Sequence, residues 1–375
     1  MKGDILMRKI LAVMIMLLIP ASSWANLVYQ TSDGSLGLIE ATVNLSVDLR
    51  GIQYAGVGSD SKMAAYWDGS EPRIILVKRN EDRTTSGDSA LIFSPSDLTA
   101  PVKSVASLGG VYGTELIAGS NRGRVIYLAE GTTITELYTS DFTYSNSYTF
   151  AASEDIFTPQ ILSMAVWNYG LYALYGLDND AGLSVVFGFD GQLKENVSSF
   201  KRYVISSDAS DLALLANSRI GVARNDGVDV ISNNTIRSIV SSDAPVRALC
   251  RDTGTGFYYV EQSVSGDVYT NTLKQYSSRE EIIILASGYV GEVSKLLFDE
   301  NNSMLMAILG DSILIYDMRY NSLLAEYDST QLGGHPVNIA LSYVNGDDGK
   351  TSSGCNLGMG MIIFLACACV ILKRR

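Results

Sequence analysis

Histidine and cysteine are almost absent from the main part of this 375-residue chain. His335 is the one histidine, and of four cysteines only Cys250 precedes the C-terminal tail. A single histidine excludes metal sites built from several imidazoles and argues against a Ser-His-Asp triad. A single cysteine excludes an internal disulfide there. We therefore interpret His335 as a structural or loop residue and Cys250 as a buried, unreactive thiol.

Basic residues are also scarce, with 28 lysines and arginines against 40 acidic residues. Between residues 26 and 354 the counts are 22 and 39, which gives a net charge of −17. A body of this charge is repelled by phosphate backbones and by anionic lipid headgroups. The composition therefore predicts that nucleic acids are not partners.

Known catalytic motifs are absent as well. The sequence has no Walker loop, dinucleotide fingerprint, nucleophile elbow or zinc-ligand spacing. Three Asp/Asn clusters, at 178–180, 225–226 and 299–302, do not fit a calcium-binding EF-hand loop and are explained more simply as turns. We predict no catalytic, cofactor-binding or metal-binding residues. Several aromatic residues either line a sugar- or peptide-binding funnel or pack between strands: Trp67, Trp167, Tyr169, Tyr172 and Tyr175.

What the sequence does contain is a repeat. A Gly or Asp turn followed by an alternating apolar strand occurs seven times, at intervals of 35 to 59 residues. The copies are GSLGLIEAT, DSALIFSPS, GRVIYLAEG, GLSVVFGFD, GVDVISNNT, DVYTNTLKQ and DSILIYDMR. A second strand precedes each copy, and a more uniformly apolar run precedes that strand, as in VKSVASLGG, ILSMAVWNY and VRALCRDT. Uniform apolarity is typical of a strand buried on both faces.

A repeated unit of about 40–50 residues of antiparallel strands predicts an all-β β-propeller over residues 26–345. Seven four-stranded blades are favoured, with six or eight left open, and a string of β-sandwiches is the alternative. PVNIALSYV near the end should complete a composite closing blade with NLVYQTSDGSLGLIEAT at the start. The segment Asp141–Pro159 is expected to be a long loop.

The last repeat, GDSILIYDMRYNSLLAEYD, resembles a WD40-like or quinoprotein-like blade. Tyr316-Asp317 stands where such blades often carry a Trp-Asp dipeptide, although the Gly-His partner of that signature is missing. The resemblance concerns the architecture and implies no particular activity.

Residues 1–25 are typical of a secretory signal peptide. Lys2, Arg8 and Lys9 precede an apolar run, and Ser23-Trp24-Ala25 supplies small residues for cleavage after Ala25. The segment is too short to cross a membrane comfortably, so an uncleaved anchor is the weaker alternative.

The C-terminal tail consists of three parts. Residues 346–354 form a polar, flexible linker, Gly354-Cys355-Asn356 follows, and an uncharged apolar run leads to Lys373-Arg374-Arg375. We predict that residues 355–375 form a sorting segment with a transmembrane helix, oriented by its terminal cations. The plan resembles the Synerg-CTERM class of bacterial sorting domains. That resemblance implies a diderm envelope and processing by a membrane protease, with Cys355 as a candidate modification site.

Together these features predict an exported protein of the cell envelope or cell surface, held at least transiently in the inner membrane. Its expected partner is a protein, peptide or glycan, and it requires no cofactor. A scaffold that binds by strand addition is one form of this function. A propeller hydrolase or lyase acting on extracellular polymers is the alternative.

Overall fold

The structure is a computed structural model that describes residues 26–41, 46–56, 58–80, 87–119, 124–150, 160–167, 170–177, 183–189, 201–205 and 208–341. Within them the chain forms β-strands and one short helix, α1 (Ser329–Leu332). The strands are β1 (Leu27–Thr31), β2 (Leu36–Ala41), β3 (Val47–Tyr54), β4 (Lys62–Trp67), β5 (Pro72–Lys78), β6 (Ser89–Phe93), β7 (Lys103–Val105), β8 (Leu116–Gly119), β9 (Val125–Glu130), β10 (Thr133–Tyr138), β11 (Tyr144–Thr149), β12 (Gln160–Trp167), β13 (Gly170–Leu177), β14 (Leu183–Phe189), β15 (Lys201–Ile205), β16 (Ala209–Leu215), β17 (Arg219–Arg224), β18 (Gly227–Ser232), β19 (Thr235–Ser241), β20 (Val246–Arg251), β21 (Phe257–Ser265), β22 (Val268–Tyr276), β23 (Ile282–Val290), β24 (Ser294–Asp299), β25 (Met304–Leu309), β26 (Ser312–Asp317), β27 (Ser322–Asp328) and β28 (Pro336–Leu341).

These described strands form seven antiparallel sheets of four strands each, which we call blades. Six blades use consecutive strands, and the remaining one has the order β28-β1-β2-β3. In that composite blade the last strand of the chain pairs with the first, so that Leu27 lies opposite Leu341 and Tyr29 opposite Ile339. This is the pairing that the sequence predicts between the two ends of the repeat region.

The first strand of each blade faces the centre of the molecule. The innermost strands β4, β8, β12, β16, β20, β24 and β28 contact one another in that order, and β28 contacts β4 again. The blades therefore stand radially around a closed ring. Because the ring is closed, every blade has a neighbour on each side, and both faces of its sheet are covered.

The core consists of one apolar cluster at each interface between neighbouring blades. The cluster that closes the ring joins Leu27 and Ile39 of the composite blade to Met306 and Ile313 of the blade before it. Burying such side chains stabilises the fold by roughly 1.5–3 kcal/mol each. Because this core lies between sheets, the second strand of a blade is the most enclosed, and β25 is buried at all six positions.

Two sequence-based assignments in one region are wrong. VKSVASLGG was expected to be an innermost strand, but it contains β7, the outer strand of its blade, and β8 is the innermost strand of the next one. The expected loop Asp141–Pro159 contains the outer strand β11. Both errors arise because these outer strands are short and largely polar, so their pattern does not separate them from loops.

The C-terminal element of the predicted fold class also needs correction. Among the described residues no helix is long and apolar enough to span a bilayer, and α1 has four residues. The proposed transmembrane helix falls on residues 355–375, which lie outside the described part of the chain, as do the signal segment 1–25 and the linker 346–354. The chain divides into the units Met1–Val344 and Asn345–Arg375, and every described strand belongs to the first.

Gly37 gives a direct test of packing in the closing blade. A methyl group at this position would lie 2.0 Å from Cζ of Tyr29, which is fully buried and donates a hydrogen bond to the carbonyl of Leu332. We expect Gly37→Ala to lower the free energy of unfolding by about 1–3 kcal/mol, because the buried ring has no room to move. Urea denaturation would measure the loss.

Gly254→Ala is the matched control for this substitution. Its new methyl group would meet one atom, at an ordinary contact distance of 3.7 Å, so the free energy of unfolding should change by less than about 0.5 kcal/mol. Equal effects of the two substitutions would contradict the packing described for the closing blade.

Candidate functional site

The outer strand β23 exposes a row of large apolar side chains to solvent. Ile282, Ile284 and Val290 are 50%, 61% and 58% exposed, and Ile283 is exposed as well. β23 is nine residues long, and in the described part of the chain it pairs with β22 alone. Its other edge therefore presents backbone N–H and C=O groups beside exposed isoleucines. We call this surface, formed by Ile282–Val290, the β23 edge.

The β23 edge lacks two of the features that usually protect an outer strand, charge and proline, although two register shifts interrupt its pairing with β22. Its sequence, IIILASGYV, has no charged residue and no proline. Of the other described outer strands, β3, β7, β15, β19 and β27 each carry at least one charge, and β11 (YSNSYT) is uncharged but has no aliphatic residue. Charges and prolines on edge strands oppose pairing with further strands. One blade of the ring therefore has an outer strand whose composition does not oppose pairing with a further strand.

The same blade also extends further than its neighbours. β21 and β22 are each nine residues long and are joined by a tight turn in which Gly266 has a φ of 62°. Val264 and Val268 flank this turn and are about half exposed. This protruding hairpin continues the apolar surface beyond the end of β23, since Thr270 lies opposite Val290.

A buried amide network fixes this end of the blade. The side-chain oxygen of Asn271 accepts hydrogen bonds from Gln262 Nε2 (3.1 Å) and Ser294 Oγ (2.8 Å). Its side-chain nitrogen donates to the carbonyls of Tyr289 (3.2 Å) and Gly291 (2.8 Å). Asn271 is fully buried and all its polar side-chain atoms are used, so the network orients β23 rigidly against the blade.

The centre of the ring carries a second polar arrangement, built on Asp211 in β16. Its carboxylate accepts a hydrogen bond from Ser163 Oγ (2.9 Å) in one neighbouring blade and from the backbone N–H of Leu249 (3.1 Å) in the other. Burial raises the pKa of Asp211, and the positive charge of Lys295 opposes that shift. A carboxylate shared by three blades in this way holds the innermost strands together.

The last blade contains the predicted Tyr316-Asp317 pair. Asp317 is fully buried, and its carboxylate accepts hydrogen bonds from Arg319 Nε (2.9 Å), Nη2 (2.8 Å) and the backbone N–H of the same residue. These bonds hold the pKa of Asp317 below its usual range. The dipeptide therefore shapes the turn after β26.

The single histidine and the single described cysteine serve unrelated roles. His335 is exposed, and its Nδ1 lies 2.9 Å from a carboxylate oxygen of Asp311 at the closure of the ring. Cys250 is buried, and burial raises its thiol pKa, which opposes formation of the reactive thiolate. Neither residue contributes to a catalytic arrangement with the other.

The remaining candidate residues from the sequence either pack between blades or lie outside the residues that the structure describes. Tyr172 and Tyr175 pack in the clusters on the two faces of their blade, and the ring centre of Phe150 lies 4.9 Å from that of Tyr175. Within the described ranges no group of three potential metal ligands occurs. The sorting residues Gly354, Cys355 and Asn356 and the terminal cations Lys373, Arg374 and Arg375 lie outside the described residues.

Comparison with known proteins identifies the architecture. A periplasmic gluconolactonase of Pseudomonas aeruginosa superimposes with a TM-score of 0.55 at 14% identity, covering 86% of this chain and 99% of that one. The fold is that of a β-propeller. The dihydro-heme d1 dehydrogenase NirN gives a TM-score of 0.48 at 10% identity, and the match covers 84% of this chain and 74% of NirN. Hsv2 of Kluyveromyces lactis gives a TM-score of 0.49 at 10% identity, and the match covers 82% of this chain and 96% of Hsv2. No family model and no curated protein matches the sequence.

The β23 edge was not singled out from the sequence, although a signal for it exists. The run EEIIILASGYV follows the third strand of its blade, at the position where the other repeats place an outer strand. An uncharged triplet of isoleucines at that position contradicts the rule that outer strands carry charge. This exception becomes visible only when each apolar segment of the sequence is assigned to a particular strand of its blade.

Asp317 and Asp211 should give stability opposite dependences on pH. The lowered pKa of Asp317 means that its stabilising contribution is complete above the unfolded pKa of about 4 and is lost as the pH falls through the folded value. We expect Asp317→Asn to lower the free energy of unfolding by about 1–2 kcal/mol at pH 7, because charge-assisted bonds to a partly solvated Arg319 are lost. The difference from wild type should shrink below about pH 5.

Asp211→Asn is the matched comparison. Since the folded-state pKa of Asp211 is raised, acidification through that pKa should stabilise the wild type relative to this variant. Urea titrations between about pH 3 and 8 would measure both slopes. Two slopes of the same sign would contradict the assigned environments.

Proposed function

We propose that this chain is an exported bacterial envelope protein that binds a protein partner by adding an extended segment of that partner to the β23 edge. The observation that carries the proposal is the uncharged, solvent-exposed outer strand in one blade of a ring whose other described outer strands are charged or polar. Strand addition uses backbone hydrogen bonds for affinity and alternate side chains for specificity.

The charges around the β23 edge define the chemistry of the partner segment. Glu280 and Glu281 precede the strand, beside Arg279, and Glu292 follows it, and all four side chains are exposed to solvent. Acidic residues thus outnumber basic ones at the two ends of the strand. The occupant is therefore an extended peptide segment of alternating apolar side chains that is flanked by lysine or arginine.

A second copy of this chain fits the edge less well. An antiparallel pair of two β23 strands centred on Ala286 would place Glu280 of one copy opposite Glu292 of the other. Like charges directly opposite each other destabilise such a pair. The charge pattern thus favours a different polypeptide over self-association.

The rigidity of the site also supports a binding role. The satisfied network of Asn271 holds the end of β23 in one position, so little conformational entropy should be lost when a partner strand is added. The hairpin bearing Val264 and Val268 offers further apolar contact to a partner that extends past Val290.

A synthetic peptide of alternating valine and threonine with lysines at both ends tests the proposal. Fluorescence anisotropy should show saturable binding, and hydrogen exchange should show new protection at the amides of Ile282–Val290. Ile284→Lys should weaken binding by at least about tenfold, because a cation replaces an apolar contact and repels the basic peptide. The affinity should fall as salt is added.

Val204→Lys is the matched control, since Val204 is half exposed on the outer strand β15, which already carries Lys201 and Arg202. Its peptide affinity should equal that of the wild type. Equal affinity of the Ile284→Lys variant, or protection outside β23, would overturn the proposal. A dimer in sedimentation that Ile284→Lys dissociates would assign the edge to a second copy instead.

We further propose the envelope as the location, with the segment 1–25 removed on export and the tail acting as a sorting signal. The support is the three-part pattern at each end and the resemblance of the tail to Synerg-CTERM domains. The resemblance assigns Gly354, Cys355 and Asn356 to processing by a membrane protease.

Expression of the full chain in a diderm bacterium tests this location. The mature protein should begin at Asn26 and fractionate with the envelope. Cys355→Ala should change the intact mass by more than the difference between the two side chains and should change the fractionation, whereas Cys369→Ala, the control in the same tail, should leave processing and fractionation as in the wild type. An unprocessed chain from Met1 to Arg375 recovered from the cytoplasm would contradict the proposal.

A further inference from the structure

A cavity with a mixed polar and apolar lining lies at an interface between two blades, far along the ring from the β23 edge. Its volume is about 200 Å³. One wall is the loop Gly109–Tyr112 that leads from β7 to β8, and the other is the sheet of β9, β10 and β11, which contributes Glu130, Thr133, Thr135 and Tyr144. The described interfaces between blades are otherwise filled mainly with apolar side chains, so hydroxyl groups here require a reason.

The blade wall of the cavity departs from the packing rule of the ring. Leu128 lies opposite Thr135, and Glu130 opposite Thr133, so these four side chains share one face of the sheet. Deeper on that face the same blade is apolar, with Ile126 and Leu137 packed against the preceding blade. Toward the cavity the face becomes polar.

Two other blades carry leucine at the position of Thr135, whereas β18 carries Asp229 there, opposite Val222. The third strands β6 and β26 carry Leu91 and Leu314 at the register position that Thr135 occupies in β10. Leu314 is fully buried in its interface. The change from leucine to threonine therefore removes apolar filling at one interface and leaves a hydroxyl-lined space.

The loop wall is held rigidly by a buried carboxylate. Asp88 is fully buried, and its side chain accepts hydrogen bonds from the backbone N–H groups of Asn80 (2.6 Å), Gly113 (2.9 Å) and Thr114 (2.8 Å). Its backbone N–H donates to the carbonyl of Val111 (2.7 Å). The cavity is therefore pre-formed, because neither wall depends on a ligand for its position.

Two glycines bring bare backbone to the mouth of the cavity. Gly109 and Gly110 have φ values of 58° and 83°, a region that residues with side chains rarely adopt. Around Gly110 no atom lies within 4 Å of the place where a Cβ would stand. The space beside the backbone of Gly110 is thus open.

We propose that this cavity, which we call the Thr135 pocket, binds one neutral sugar unit. The hydroxyls of Thr133, Thr135 and Ser147 suit the hydroxyl groups of a pyranose, and the half-exposed ring of Tyr144 suits its C–H face. Two of these hydroxyls also bond within the sheet, Thr133 to Thr149 (3.0 Å) and Ser147 to the hydroxyl of Tyr144 (3.1 Å), and each has capacity for a further hydrogen bond. The described lining includes no lysine or arginine that would neutralise an anion, so an uncharged sugar is preferred over a uronate or a phosphate.

Ligand-observed NMR and calorimetry with glucose, galactose and N-acetylglucosamine test the proposal, with galacturonate as the charged comparison. At least one neutral sugar should bind with a millimolar dissociation constant, and galacturonate should bind at least about tenfold more weakly than galactose. Methyl glycosides separate the two sources of the ligand: retained binding indicates the end of a glycan chain, and lost binding indicates a free sugar.

Thr135→Leu introduces the residue type that two other blades carry at this position, so the variant should fold, and it should weaken sugar binding by at least about tenfold. Tyr138→Ala, on the same strand and exposed outside the pocket, is the control and should bind as the wild type does. Failure of every neutral sugar to bind, unchanged binding by Thr135→Leu, or tighter binding of galacturonate would overturn the proposal. Ile284→Lys should leave sugar binding unchanged, so the outcome is independent of the β23 edge.

Discussion

The fold depends on one constraint: each small sheet has two apolar faces and can bury them only between two other sheets. A row of such sheets would leave a face in water at each end, and the pairing of β28 with β1 removes those ends. The core is accordingly divided among the interfaces, and the cluster containing Leu27 and Met306 completes the circle. Stability of any blade is therefore inseparable from that of its neighbours.

This constraint leaves two regions of a blade free to vary. The outer strand pairs with one other strand only, so the composition of its free edge is set by what the molecule must avoid or bind. The connections between blades contribute few side chains to the interfaces, so they can shape cavities without loss of core. The β23 edge is an outer strand of this kind, and the Thr135 pocket is shaped by a connection between blades. The two sites lie on different blades.

Sequence reasoning recovered the repeat, the propeller architecture and the closing pair because strand periodicity and turn residues are local signals. It misplaced β7 and β11, since a short outer strand such as Lys103–Val105 buries almost nothing and leaves no periodic pattern. It also expected innermost strands to be uniformly apolar. Asp211 and Lys295 show that an innermost strand faces neighbouring strands across the ring centre, where polar groups find partners or water.

The candidate sites were harder to predict, because each depends on residues brought together by the ring. Asn271 joins Gln262 to Ser294 through a network that no spacing in the sequence reveals. The pocket requires Asp88 to order a loop more than twenty residues further along the chain, where it binds the N–H of Gly113. Such contacts follow from the register between strands, which is fixed only after the blades have assembled.

The pairing of Leu27 with Leu341 has a consequence for orientation. At these residues β1 and β28 lie at the same rim of the ring. The turns between the second and third strands of the blades, including the turn at Gly266, lie at the opposite rim. The two ends of the repeat region therefore leave the ring at the rim opposite the hairpin that bears Val264 and Val268.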